Sequence, residues 1–173
     1  MHWRKIPMVL LVQIQHTVDS VSQLDVIIRI GLATLFGAIV GWERSLAEKP
    51  AGARTVAMIA AGAAAFALMG VQIGVQTDPT LGHRLDPTRV LSYIISGVGF
   101  LGAGAILHSK KSITGLTTAS AIWAAAGIGA ACGLGLFVIA SALFVVVFCV
   151  LWLPWLGVFL KDSEDEPDAD AKS

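Results

Sequence analysis

The chain has 173 residues, of which 55% are hydrophobic and 14% charged, and its formal net charge is +0. Soluble globular domains carry about 25% charged residues, so this chain cannot cover a water-facing surface and falls in the membrane class. The even charge balance leaves no electrostatic footprint for a nucleic-acid partner.

Arg4 and Lys5 precede an apolar run, Ile6 to Val12, that has the look of a short signal peptide. Gln13, Gln15 and His16 follow, with no small-residue cleavage site. That favours an uncleaved N-terminal segment over residues 1–23, periplasmic or interfacial. Five apolar runs come next, near 24–43, 54–75, 90–107, 116–134 and 136–160. A spanning helix needs about 20 apolar residues. The expected fold is an all-α integral membrane protein, with five transmembrane helices bundled over 24–160. Gly133-Leu134-Gly135 leaves room only for a tight hairpin between the last two runs. Asp162, Glu164, Asp165, Glu166, Asp168 and Asp170 make 161–173 an acidic tail, expected to be cytoplasmic and disordered. The short segments 44–54, 108–115 and 161–173 hold seven Lys and Arg, against four on the other side. The positive-inside rule then places the N-terminus out and the C-terminus in.

Small residues mark helix contacts in lipid, where burial between helices gains no hydrophobic free energy. The first run carries Gly37-x-x-x-Gly41, the second is dense in alanine from Ala57 to Ala67, and the fourth runs from Thr117 to Gly129 through alanines. The fifth, rich in Phe, Val and Leu, is expected at the lipid edge. Trp42, Trp152 and Trp155 suit an interfacial aromatic belt, and Trp123 reads as a large filler opposite alanine and glycine. The third run holds Gly97, Gly99, Gly102 and Gly104, formally GxGxxGxG. A dinucleotide site would need a strand before these glycines and an acidic residue about 20 positions on. No acidic residue follows until Asp162. On a helix Gly97 and Gly104 share one face while Gly99 and Gly102 lie roughly opposite. This predicts the third helix as the central one, clasped between the first and fourth.

Ionisable groups inside spans are functional candidates by default. Asp25, Arg29, Ala33, Phe36, Val40 and Glu43 fall on one stripe of the first helix, which should face the bundle. Asp25 and Arg29, four apart, can pair. Glu43 stands about 27 Å further along. Arg44 and Arg54 flank the following loop, and a Glu43–Arg54 ion pair is expected there. Arg89, after Asp86-Pro87, opens the third helix within reach of Asp25. A structural ion-pair set and a directly functional one are both compatible with this pattern. Mg²⁺ is usually held by one or two carboxylates and several waters. The two acidic residues of the spans lie at opposite ends, so a single-chain magnesium site has little support. A ring of Glu43 or Asp25 side chains in an oligomer stays open. Cys132 and Cys149 lack metal-ligand spacing and read as buried free thiols, with a disulfide as the alternative. No Ser-His-Asp or Cys-His arrangement stands out, so no enzyme and no cofactor is expected.

Four blocks follow in order: DVIIRIGLATLFGAIVGWER from Asp25, AGARTVAMIAAGAAAF at 51–66, DPTRVLSYIISGVGFLGAGAIL at 86–107 and ITGLTTASAIWAAAGIGAACGLG at 113–135. Together they resemble the MgtC/SapB family of bacterial inner-membrane proteins, over about residues 24–150. The resemblance implies a five-span, multi-pass inner-membrane domain with its C-terminus in the cytoplasm. It also implies a link to growth at low magnesium and, in intracellular pathogens, to virulence. By motif, the family's functional positions fall on Asp25, Arg29, Gly41, Glu43, Arg44, Arg54, Thr55, Arg89, Gly97, Gly102 and Gly104. Better-known members carry a cytoplasmic C-terminal domain after the last span, which this chain is expected to lack. The expected partners are the lipid bilayer, another inner-membrane protein and further copies of the chain. The expected role is modulation of that other protein; the alternative is a transporter or channel for Mg²⁺ or another cation.

Overall fold

A computed structural model describes residues 22–76, 87–108 and 113–153. The N-terminal segment and the acidic tail lie outside these residues. Five helices follow in chain order: α1 Gln23–Leu46, α2 Ala53–Gln76, α3 Pro87–Ala105, α4 Leu116–Gly133 and α5 Phe137–Trp152. The first four contain stretches long and apolar enough to cross a membrane. The described part of α5 is apolar but shorter; the remainder of the predicted span, 154–160, lies outside the described residues. Among the described residues the architecture is all-α apart from one two-stranded ribbon. There β1, Leu107–His108, pairs antiparallel with β2, Ile113–Thr114, in the register Leu107↔Thr114 and His108↔Ile113.

The helix ends explain the connections. Ser22 caps α1, its Oγ accepting from the Leu24 amide at 3.2 Å. At the far end the Lys49 amide donates to the Arg44 carbonyl and the Glu48 amide to the Ser45 carbonyl. This is the paired pattern that closes a helix on a left-handed residue, and Glu48 occupies that position with φ 53°. The same motif ends α4. Leu136 donates to the Ala131 carbonyl, Gly135 to the Cys132 carbonyl, and Gly135 takes φ 75°. The tight hairpin predicted at 133–135 is therefore a glycine-closed turn into α5.

The central helix is α4, not α3. It packs against each of the other four helices, and 61% of it is buried against 11% of α3. Its floor is glycine. A Cβ on Gly129 or Gly133 would run into the backbone of α2, at the carbonyl oxygens of Ala60 and Ala64. Gly37 and Gly41 bring α1 onto the other flank of α2, where added Cβ atoms would lie 2.8 Å from Ala60 Cβ and 2.7 Å from Ala53 Cα. Close backbone approach, and the dispersion contacts it allows, is what holds helices together in lipid. Around Gly97, Gly99 and Gly104 of α3 there is no atom within 4 Å of where a Cβ would stand. Of the four glycines only Gly102 meets a neighbour, Ala119 of α4. The glycine run also lies inside a continuous helix, which removes the dinucleotide reading.

Helix α5 lies at the edge, on α4 and α1. One stacked pair fixes it to α1, Phe36 on Phe144 at 4.5 Å, and the stack continues along α5 itself, Phe144 on Phe148 at 5.9 Å and Phe148 on Trp152 at 5.4 Å. Trp42 and Trp152 are exposed at the same end of the bundle, where a belt would sit; Trp155 lies outside the described residues. Trp123 is 54% exposed and fills no core position, because the small residues of α4 turn towards α1, α2 and α3 instead. Both cysteines are free; Cys132 is buried as expected, whereas Cys149 is exposed on α5.

Candidate functional site

Two polar clusters sit at opposite ends of α1. The stripe predicted from spacing faces the bundle: Ala33 and Val40 are fully buried and Glu43 is 4% exposed. At the first end Arg29 Nη2 pairs with Asp25 Oδ2 at 2.7 Å. The same guanidinium donates through Nη1 to the Gly133 carbonyl at 3.0 Å. That carbonyl closes α4, where the helix dipole favours a cation. The guanidinium also lies 6.0 Å from the Phe137 ring centroid. A Cβ on Gly135 would stand 2.9 Å from Arg29 Nη1. Arg29 thus ties α1 to the turn between α4 and α5. Asp25 keeps no contact for Arg89, which is exposed on α3, so the predicted Asp25–Arg89 approach is replaced by the i, i+4 pair.

At the other end Glu43 and Arg44 are both buried, Arg44 at 6% exposure. Arg44 Nη2 donates to Thr118 Oγ1 at 2.7 Å. Thr118, on the first turn of α4, is itself 2% exposed. Its partner role was not legible in sequence, since it stands 74 residues from Arg44; the signal available was a hydroxyl among alanines on the fourth run. Buried charges in an apolar bundle are costly unless hydrogen-bonded, and this cluster is the most concentrated such cost among the described residues. The predicted Glu43–Arg54 ion pair is not found: Arg54 and Thr55 are exposed on the first turn of α2. Ser45 makes that junction instead. Its Oγ donates to the Gly41 carbonyl at 3.0 Å and accepts from the Ala53 amide at 3.1 Å. Gly52 is required beside it, because a Cβ there would meet Ser45 Oγ.

The chemistry of these clusters is positional. Among the described residues no three His, Cys, Asp or Glu side chains gather as a metal site. Asp25 and Glu43 remain about 27 Å apart along α1. Residues 30–155 match the MgtC family. The chain belongs to that family. The MgtC-family chain is 40% identical over 135 residues to Protein SapB of Bacillus subtilis, covering 76% of this chain and 58% of the relative. It is 43% identical over 121 residues to an uncharacterized protein of Haemophilus influenzae, covering 69% and 50%. It is 42% identical over 117 residues to Protein MgtC of Salmonella typhimurium, covering 68% and 47%. The chain thus spans about half the length of the curated relatives it matches. No solved structure matches it significantly. Family membership and several apolar helices make it a multi-pass inner-membrane protein.

Proposed function

We propose that this chain is a regulatory membrane protein that supports growth under magnesium limitation by modulating another inner-membrane protein. The observation that carries this reading is the buried Arg44–Thr118 hydrogen bond, beside the buried Glu43. It locks α1 to α4 at one end of the bundle, and so fixes the shape of the surface a partner would meet. The family link to magnesium-related membrane proteins supports the physiological context. The charge count supports an orientation with the N-terminus out, which puts this cluster on the cytoplasmic side. Self-association belongs to the same proposal. Its candidate surface is the exposed stripe Ser92, Ser96, Gly99 and Ala103 of α3, and crosslinking in native membranes that finds only monomer would count against it.

The test is rescue of growth in low magnesium, in a strain lacking its own family member. The wild-type chain restores growth, and Arg44→Gln at equal membrane level does not. Rescue by Arg44→Gln as complete as by wild type would overturn the role of the cluster. A second reading, cation conduction, draws on the bundle-facing position of Glu43, and flux measurements separate the two.

A further inference from the structure

The end of the bundle that holds Arg44 and Thr118 gathers the C-terminus of α1 and the N-termini of α2 and α4. Helix α5 finishes there too. Leu151, in its last turn, packs in one cluster with Val40, Val56 and Ala121, and Ala51 of the α1–α2 loop lies against that cluster. Lys49 and Arg54, on either side of Ala51, are exposed, and neither has an ion-pair partner among the described residues. Lys110 and Lys111 stand in the sequence between β1 and β2, the ribbon that leads from α3 into α4 at the same end. Against these cations the α1–α2 loop sets a single acidic residue, Glu48. The described part of the chain closes at Leu153, and six acidic residues follow between Asp162 and Asp170. The nine residues from Leu153 to Asp162 reach at most about 30 Å, so the first carboxylate stays within that distance of the end of α5.

We propose that the acidic segment 162–170 folds back on its own bundle and docks on Lys49 and Arg54. Charge complementarity and reach choose this occupant. Carboxylates leaving the bundle beside a bilayer are repelled by anionic headgroups and attracted by the unpaired cations of the same end. One exposed ion pair contributes little. Several act together here, because the tether holds the segment at about a millimolar effective concentration. Docked in this way, the segment covers the α1–α2 loop and keeps anionic headgroups off Lys49 and Arg54. Arg89, exposed on the first turn of α3, lies at the opposite end of the bundle and is out of its reach across the bilayer. This inference depends neither on the regulatory role proposed above nor on which side of the membrane this end faces.

The test is zero-length crosslinking of the full chain with a carbodiimide, which joins a carboxylate to a lysine amine in contact with it. The chain is held in nanodiscs containing phosphatidylglycerol, as a mixture of isotope-labelled and unlabelled copies, and the joined peptides are read by mass spectrometry. Lys49 is expected to be joined to the 162–170 segment within one copy. Arg54→Lys adds a second such link, and Arg89→Lys adds none. In 1 M salt the Debye length falls to about 3 Å, and the Lys49 link is lost. Absence of any link from Lys49 or from Arg54→Lys to the segment would overturn the proposal, since headgroups or water would then hold the rim. Links found only between labelled and unlabelled copies would also overturn it, by placing the segment on a second chain. So would a link from Arg89→Lys as frequent as that from Arg54→Lys.

Discussion

Thr118 offers its hydroxyl to a guanidinium that is almost wholly enclosed. Replacing it by valine keeps the shape and removes the acceptor. A hydrogen bond to a charged group contributes about 1.5–3 kcal/mol in soluble proteins. Interhelical bonds in membranes average less, about 0.6 with a maximum near 1.7 kcal/mol. The buried charge argues for the top of the membrane range, so Thr118→Val should destabilise by about 1.5 kcal/mol, read as a lowered unfolding midpoint in detergent. Glu48 predicts the opposite sign. A left-handed backbone costs a non-glycine residue about 1–2 kcal/mol, and glycine's extra chain entropy costs about 0.5–1. Glu48→Gly should therefore stabilise by about 0.5–1 kcal/mol, seen as a raised midpoint in the same assay. Gly135→Ala, at the equivalent turn, should destabilise, because the new methyl group must also displace Arg29.

At the scale of elements, glycines with similar spacing do unlike things. Gly129→Ala drives a methyl group into the Ala60 carbonyl of α2 and should cost about 1–3 kcal/mol, the usual range for overpacking. Gly99→Ala meets nothing and should be neutral or stabilising by up to ~1 kcal/mol, the gain of replacing glycine inside a helix. Unfolding curves of the two variants check the contrast, and equal losses would contradict the arrangement of α2, α3 and α4. Helix positions were legible because uninterrupted apolar runs in a bilayer admit few alternatives. The inward face of α1 was legible because two charges and a buried stripe share one helical period. The order of packing was not. A glycine run shows where close approach is possible, not which backbone comes. Gly129 and Gly133 of α4 and Gly37 and Gly41 of α1, not the glycine run of α3, are the pairs that meet α2. Side-chain partners 74 residues apart, as Arg44 and Thr118 are, leave no local pattern. Arg54 was misassigned because loop neighbours in sequence need not face each other: Ser45 holds the junction.

Across the whole molecule, a pinned polar cluster at each end of α1 encloses a core of alanine and glycine. Two of its arginines join helices: Arg29 at the end of α4 and Arg44 at Thr118. Between these clusters the stripe is Ala33, Phe36 and Val40, apolar residues with no oxygen ligand for a dehydrated cation. That contrast is the ground for proposing regulation over conduction. The direct measurement is magnesium flux into liposomes containing only the purified chain, with an entrapped Mg²⁺-sensitive dye. A regulatory protein gives no uptake above empty liposomes, and Glu43→Ala changes nothing. Uptake that depends on the protein and is abolished by Glu43→Ala would contradict the proposed function and make the chain a cation pathway.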